Sequence, residues 1–282
     1  MILFKTTVPL QAKLKKLRNQ NAFIGFAPTM GALHQGHISL IEQSKKECDI
    51  TVCSIFVNPT QFNDKKDFEK YPITIEKDIY LLETYEADIL FLPSTDEVYK
   101  QGIESLEHFN LGYLENILEG KYRPGHFQGV CNVVYRLLNF IKPDKIFLGR
   151  KDYQQYLVLK TMMQDFFPSI SIGLVDILRE ESGLAMSSRN ARLSDEARKK
   201  APVIYESLQF IKQNISTKDF NTLKQKATEA ILQQGFDKID YVEICDAETL
   251  LPVTKIEGDK KLIVLVAAFI EGVRLIDNLI LN

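Results

Sequence analysis

The sequence predicts the α/β fold class, with a doubly wound parallel sheet followed by a smaller α+β domain. Three observations support this prediction. Short apolar runs, typical of buried strands, alternate with amphipathic helical stretches through the first two-thirds of the chain. These runs are continuously apolar, as in strands that helices cover on both faces. Near residue 178 the order changes to helices followed by clustered strands, which is typical of an α+β domain.

The predicted domains are 1–177 and 178–282. In the first domain, strands are predicted over 22–27, 50–57, 88–93 and 145–149, and helices over 38–47, 73–85, 129–141 and 153–166. This alternation is typical of Rossmann-like domains, in which ligands bind at the carboxyl ends of the strands. In the second domain, helices are predicted over 194–213 and 220–234, and strands over 239–245, 262–269 and 273–278.

The composition is typical of a soluble globular protein. The 282 residues are 45% hydrophobic and 26% charged, with a formal net charge of −2, so charge gives no reason to expect a nucleic-acid partner. The amino-terminal segment does not resemble a signal peptide, and no run approaches the roughly 20 apolar residues of a membrane span. Widely separated cysteines favour a reducing compartment over a disulfide scaffold, so we expect a cytoplasmic protein. They are Cys48, Cys53, Cys131 and Cys245.

The first candidate site, residues 28–37, follows the first predicted strand. Gly36 lets the backbone approach a ligand, and the start of the next helix offers N–H groups to phosphate. His34 and His37 are three residues apart, so in a helical turn both face the same way and could donate hydrogen bonds to an α-phosphate. Spacing alone leaves nucleotide binding, half of a metal site and a structural loop open. No Lys-Ser or Lys-Thr follows, which excludes a Walker P-loop.

The string His-Gln-Gly-His at 34–37 resembles the His-x-Gly-His signature of the nucleotidyltransferase superfamily, which includes class I aminoacyl-tRNA synthetases. The longer string PTMGALHQGHISL, at 28–40, is more specific and is similar to the version found in the pantothenate synthetase family. The resemblance implies that His34 and His37 are catalytic. It also implies ATP contacts from Met30, Gly31, Ala32, Leu33, His34, Gln35, Gly36 and His37.

The second candidate site is the string FVNPTQF at 56–62, at the end of a predicted strand. By itself it is typical of a strand followed by an Asn-Pro turn. The primary amide of Gln61 offers donors and an acceptor, which suits a substrate with hydroxyl groups and a carboxylate. The string resembles the pantoate-binding segment of the family. This implies that Gln61 contacts pantoate and that Asn58 helps to organise the substrate site.

The third candidate site is LGRKDYQQ at 148–155, which alone indicates a glycine turn and a capped helix. Lys151 can reach a phosphate as a point charge, and Asp152 could cap the helix or contact a ribose hydroxyl. The family resemblance implies that Lys151 is catalytic and that Gln155 binds pantoate. It assigns ATP contacts to Gly149, Arg150, Lys151 and Asp152. Arg150 and Leu148 depart from the acidic and aromatic residues expected at their positions.

The fourth candidate site is LAMSSRN at 184–190, which by composition is a solvated loop. It resembles the family's counterpart of the KMSKS loop in class I synthetases. Hydroxyl groups and a guanidinium suit triphosphate oxygens. The resemblance implies ATP contacts from Met186, Ser187, Ser188 and Arg189, with Leu178 near the adenine.

Further matches at 119–130 and 274–278 extend the resemblance over nearly the whole chain. For Arg123 and His126 a supporting role is favoured over a place lining the cavity. For Asp78 a solvated helix carboxylate is favoured over a position near the metal or substrate.

The resemblance implies ATP-dependent condensation of (R)-pantoate with β-alanine through a pantoyl-adenylate, giving pantothenate, AMP and pyrophosphate for coenzyme A biosynthesis. It also implies Mg²⁺, a homodimer, an ATP- and pantoate-binding domain at 1–177 and a KMSKS-like loop within 178–282. One alternative is another His-x-Gly-His nucleotidyltransferase. The other is a catalytically inactive nucleotide-binding protein.

Overall fold

The computed structural model describes residues 1–63, 65–103 and 106–282. Two compact units are formed, one by Met1–Arg150 and Gln155–Asp176, the other by Lys151–Gln154 and Ile177–Asn282. Over the described ranges, the first unit contains a six-stranded parallel sheet and the second a three-stranded antiparallel sheet. The predicted fold class, α/β with a smaller α+β part, is confirmed.

The sheet of the first unit has the strand order β1-β4-β3-β2-β5-β6. Its strands are β1 Ile2–Phe4, β2 Ile24–Thr29, β3 Ile50–Ile55, β4 Ile89–Phe91, β5 Lys145–Gly149 and β6 Ser171–Val175. The chain moves outward in one direction from β2 to β4 and in the other from β5 to β6. The switch point therefore lies between β2 and β5, and doubly wound sheets bind ligands beyond the carboxyl ends of such strands.

Helices connect these strands. They are α1 Thr7–Arg18, α2 Gln35–Glu47, α3 Lys65–Glu69, α4 Ile75–Thr84, α5 Thr95–Val98, α6 Leu118–Tyr122, α7 His126–Ile141 and α8 Tyr153–Phe166. One core cluster joins α2 and α4 to the sheet and consists of Ala27, Leu40, Ile41, Cys53, Ile55, Leu82, Ala87, Leu90 and Phe147. Burial of this apolar surface stabilises the sheet and fixes the carboxyl end of β2.

The elements β1, β6 and α1 are not among those predicted from the sequence. Strand β1 has only three residues and lies at the sheet edge, where Ile2 is 45% exposed. Strand β6 forms the opposite edge, and none of its residues is fully buried. Both strands do contain apolar residues, ILF in β1 and SIGLV in β6, but the runs are short and partly exposed, so their pairing as edge strands is visible only in the assembled sheet.

The second unit packs three helices against its sheet. The elements are α9 Asp195–Lys200, α10 Val203–Asn214, α11 Phe220–Gln233, β7 Lys238–Asp246, β8 Leu262–Ile270 and β9 Val273–Ile280. The helical region predicted over 194–213 is present, but it is divided into two helices. Pro202 lies between them, where its missing N–H cannot continue the hydrogen bonding of α9. Among the described residues, no helix is long and apolar enough to cross a membrane.

Candidate active site

The loop between β2 and α2 is closed by two imidazole rings at the start of α2. His34 is the N-cap, and its Nδ1 accepts the backbone N–H of Gly36 at 3.1 Å. The Nδ1 of His37 accepts the backbone N–H of His34 at 3.3 Å. A nitrogen that accepts a hydrogen bond carries no proton, so each neutral ring carries its proton on Nε2. The ring centroids lie 4.0 Å apart, giving paired donor groups at a helix amino terminus.

The preceding turn is held by Asp78 of α4. This residue is 1% exposed, so the prediction of a solvated helix carboxylate is wrong. Its oxygens accept the backbone N–H groups of Ala32 at 2.9 Å and Leu33 at 2.8 Å, and the Thr74 hydroxyl at 3.0 Å. Ala32 has φ +48°, a left-handed conformation that costs a non-glycine residue about 1–2 kcal/mol. Asp78 therefore offsets backbone strain beside the paired histidines.

Asn58 organises the turn that follows β3. It is fully buried, and its Oδ1 accepts the Tyr99 hydroxyl at 2.7 Å and the Thr60 hydroxyl at 3.0 Å. Its Nδ2 donates to the Gly129 carbonyl at 3.1 Å. A Cβ on Gly129 would collide with the Thr60 carbonyl, so glycine lets α7 lie directly against this turn. Through these contacts Asn58 positions the turn that follows β3.

Gln61 is held at three points. Its Oε1 accepts Asn58 Nδ2 at 3.2 Å, and its Nε2 lies 2.8 Å from the Met30 sulfur. Its backbone carbonyl lies 2.7 Å from Nδ1 of His126, whose Nε2 lies 3.0 Å from the Arg123 guanidinium. A guanidinium only donates, so Nε2 accepts and Nδ1–H donates to Gln61. This geometry supports the supporting role favoured for Arg123 and His126.

Tyr99 was missed in the sequence analysis. It lies 41 positions from Asn58, and no local pattern links the two residues. Burial raises the pKa of the Tyr99 phenol, against the opposing effect of the Thr60 hydrogen bond. The hydroxyl therefore stays protonated near neutral pH and can donate to Asn58.

The predicted residues after β5 fall in both units. In the first unit, Arg150 forms an ion pair with Asp176 at 2.6 Å, and Gln155 is half-buried on α8. In the second unit, Lys151 is 19% exposed and its Nζ lies 3.7 Å from Asp152 Oδ2. The short turn Arg150–Asp152 follows Gly149, the last residue of β5.

The KMSKS-like segment belongs to a hairpin of the second unit. The backbone N–H of Met186 donates to the Leu178 carbonyl at 3.0 Å. Ser187 Oγ accepts the N–H of Arg189 at 3.2 Å and starts the helical turn Ser188–Arg192. Asn190 is 3% exposed and donates to the Ala185 carbonyl at 3.0 Å. The segment therefore has a defined conformation, and Leu178 is 41% exposed at its base.

The cysteines are poor nucleophiles. All four are free thiols, and burial raises the pKa of Cys53 and of Cys131 to about 12. A thiol with such a pKa carries almost no thiolate near neutral pH. The candidate chemical groups are therefore the histidines and glutamines of the first unit and the lysine and arginine of the second.

The fold and these groups define a ligand-binding enzyme of the doubly wound α/β class. A profile of the family described as pantoate-beta-alanine ligase matches residues 2–280. The chain belongs to this family.

Relatives named pantothenate synthetase resemble the chain over its full length. It is 40% identical to pantothenate synthetase of Caldicellulosiruptor bescii, covering 100% of this chain and 99% of the relative. It is 43% identical to pantothenate synthetase of Fervidobacterium nodosum, with complete coverage of both. These comparisons confirm the family and the ligase class predicted from the sequence.

Solved structures agree. The crystal structure of pantothenate synthetase from Thermus thermophilus matches with a TM-score of 0.90 and 39% identity, covering 99% of each chain. That of pantoate-beta-alanine ligase from Francisella tularensis, complexed with beta-gamma ATP and beta-alanine, matches with a TM-score of 0.83 and 38% identity. It covers 99% of this chain and 97% of that one.

Proposed function

We propose that the protein condenses (R)-pantoate with β-alanine, using ATP and passing through a pantoyl-adenylate, to make pantothenate for coenzyme A biosynthesis. Family membership supports this proposal. The observation that carries it is the hydrogen bonding of His34 and His37, whose Nδ1 atoms are fixed by backbone N–H groups. Both neutral rings thus carry their protons on Nε2, the atom that donates to phosphate oxygens in this proposal.

In the first step a pantoate carboxylate oxygen attacks the α-phosphorus of ATP. A new O–P bond forms, the bond from that phosphorus to the bridging oxygen breaks, and pyrophosphate leaves. Nε2–H of His34 and His37 stabilises the charge that develops on the α-phosphate oxygens. Lys151 and Arg189 of the second unit offset the charge of the departing pyrophosphate.

In the second step the amine of β-alanine attacks the acyl carbon. The C–N bond forms, AMP leaves with the former carboxylate oxygen, and the amine nitrogen loses a proton. The adenylate provides the good leaving group that a free carboxylate lacks. No covalent enzyme intermediate is needed, which suits a chain whose buried thiols stay protonated.

Pantoate is recognised by Gln61 and Gln155. The Gln61 amide is fixed by Asn58, and it offers donors and an acceptor to hydroxyl and carboxylate groups. We assign ATP to three sets of residues: Met30, Gly31, Ala32, Leu33, His34, Gln35, Gly36 and His37 around the start of α2; Gly149, Arg150, Lys151 and Asp152 after β5; and Leu178, Met186, Ser187, Ser188 and Arg189 of the hairpin. The first domain, 1–177, thus binds ATP and pantoate, and 178–282 supplies the KMSKS-like loop.

Mg²⁺ accompanies ATP in this proposal. Among the described residues, no group of three or more His, Cys, Asp or Glu side chains could hold a metal ion. Mg²⁺ in phosphate chemistry is usually held by one or two carboxylates together with phosphate oxygens and waters, so a dedicated protein cage is not required. The expected cytoplasmic location and homodimer stay predictions, and sedimentation at several protein concentrations tests the second.

The decisive experiment is pyrophosphate–ATP exchange with Mg²⁺ and pantoate, omitting β-alanine. We expect exchange that depends on pantoate, because the first step is reversible. Exchange with a phosphate-ester acceptor and none with pantoate would favour another His-x-Gly-His nucleotidyltransferase. ATP binding by folded protein without any exchange would indicate an inactive nucleotide-binding protein.

A further inference from the structure

The second unit contains a buried ion pair outside the predicted site residues. The Arg179 guanidinium donates from both terminal nitrogens to the Asp277 carboxylate, NH1 to Oδ2 at 2.6 Å and NH2 to Oδ1 at 2.9 Å. The two side chains are 16% and 3% exposed. Burying a charged pair costs desolvation energy, so such pairs often add little net stability. A role in positioning accounts better for this pair.

Arg179 contacts the hairpin that carries the KMSKS-like segment through both its backbone and its side chain. It forms an antiparallel bridge with Ala185, and its NH1 also donates to the Gly183 carbonyl at 3.1 Å. Its guanidinium carbon lies 3.6 Å from the ring centroid of Tyr205, a cation–π contact. Arg179 therefore contacts the turn of the hairpin through its side chain and the residue before segment 186–189 through its backbone.

Asp277 is linked through Asn278 to the backbone of Lys151, which belongs to the other proposed phosphate-binding segment. The backbone N–H of Asn278 donates to Asp277 Oδ1 at 2.8 Å. The Asn278 side chain, on a residue 2% exposed, donates from Nδ2 to the Lys151 carbonyl at 2.9 Å. Two adjacent residues of β9 therefore contact the backbone at Lys151 and, through Arg179, the hairpin.

We propose that Arg179, Asp277 and Asn278 are positioning residues. They hold Lys151 and segment 186–189 in the positions needed to contact the triphosphate of ATP. This inference rests on the proposed function of those two segments. Point charges accelerate a reaction only when they are fixed where charge develops, and a displacement of about 1 Å can cost about 100-fold in rate. These three residues contact the Lys151 backbone at one end and the hairpin at the other. They therefore act by positioning the phosphate-binding groups.

A matched ion pair in the same unit provides the control. Asp240 of β7 bonds to Arg274 of β9 at 2.9 Å, and the side-chain exposures are 2% and 17%. Asp277→Asn and Asp240→Asn each remove one buried carboxylate charge that is paired with an arginine, and Asp240 also contacts Lys238 at 2.8 Å. We expect both to lower the melting temperature by similar amounts. Only Asp277→Asn should slow pantoate-dependent pyrophosphate exchange, by about 10- to 100-fold per folded molecule.

Two milder variants cover the case in which Asp277→Asn does not fold. Arg179→Lys keeps the charge but loses the two-pronged contact, and Asn278→Ala removes the bond to the Lys151 carbonyl. Each should lower kcat of exchange with little change in the KM for pantoate. Equal loss of exchange in the Asp277 and Asp240 variants, or normal exchange in folded Asp277→Asn and Asn278→Ala, would overturn the proposal.

ATP affinity, measured by calorimetry, separates this inference from the proposed function. Wild-type protein without pantoate-dependent exchange would refute the function. Weaker ATP binding by Asp277→Asn than by Asp240→Asn would still support positioning of a phosphate site. If the wild-type protein shows no exchange and the two variants bind ATP with equal affinity, both proposals are refuted.

Discussion

The two units hold their proposed phosphate-binding groups in different ways. In the first unit, His34 and His37 are fixed by backbone groups at most three residues away. In the second unit, the backbone of Lys151 is fixed by Asn278, 127 positions away in sequence. A short loop at a helix amino terminus can build a phosphate site from its own atoms, whereas a lysine on an isolated turn needs support from another element.

The sharpest test of this comparison is to remove one charged or donor group from each unit. His37→Ala and Lys151→Ala should each slow pyrophosphate exchange by about 10²–10³-fold, the usual effect of losing one preorganised electrostatic donor. Exposed His108 and Lys77 supply matched controls, and His108→Ala and Lys77→Ala should leave exchange unchanged. Unfolding of His37→Ala, or normal kinetics in either site variant, would remove the assignment.

The second test concerns a long-range contact of the loop in the first unit, the one that Asp78 makes with Ala32 and Leu33. Asp78→Asn keeps the size of the side chain but can accept fewer hydrogen bonds from Ala32 and Leu33. We expect exchange to fall by about 10- to 100-fold because the turn before the histidines loses its support. Adding Ala32→Gly should restore part of the rate, because glycine adopts positive φ without strain. A double variant no faster than the single one would contradict this account.

The third test separates substrate contact from positioning. Gln61→Ala should raise the KM for pantoate by about 5- to 10-fold and leave the KM for ATP nearly unchanged, since a net hydrogen bond contributes about 1–1.4 kcal/mol. Tyr99→Phe removes only the hydroxyl that bonds Asn58, so its effect on the same constant should be about 2- to 5-fold. Equal increases for both substrates would place Gln61 elsewhere.

Sequence reasoning succeeded where contacts are local or burial is continuous. The central strands β2, β3 and β5 were recognised from their apolar runs, and the histidine loop from its spacing. Residues 28–40 also carry a string specific enough to indicate the family. In these places the side chains that determine the structure are neighbours in the chain.

Sequence reasoning failed where a partner lies far away. Asp78 supports Ala32 across 46 positions, and Asp277 pairs with Arg179 across 98. A helix carboxylate that faces a loop has the same local pattern as one that faces water, so only the fold reveals its partner. The edge strands β1 and β6 were missed for a related reason, because their pairing is visible only once the sheet is assembled.

The last and smallest expected effect reverses the comparison for one pair of helices, since a long-range contact holds the start of α1 in the first unit and a local one caps α11 in the second. The Glu97 carboxylate accepts the N–H of Thr7, the first residue of α1, at 2.8 Å and its hydroxyl at 2.5 Å. In the second unit Asp219 caps α11 by accepting the N–H of Thr222, three residues on, at 2.8 Å. The hydrogen bonds to Thr7 lower the pKa of Glu97, and those to Thr222 lower the pKa of Asp219.

A carboxylate with a lowered pKa in the folded state contributes stability above its unfolded pKa, and this contribution is lost as pH falls through the folded value. Glu97→Gln should therefore cost about 1 kcal/mol of unfolding free energy at pH 7 and progressively less below pH 4.5, the ordinary value for this group. Asp219→Asn retains an effective cap residue and is the control. Urea unfolding at pH 7 and at acidic pH measures both. If the loss of unfolding free energy in Glu97→Gln is the same in acid as at pH 7, the charge of Glu97 does not stabilise α1.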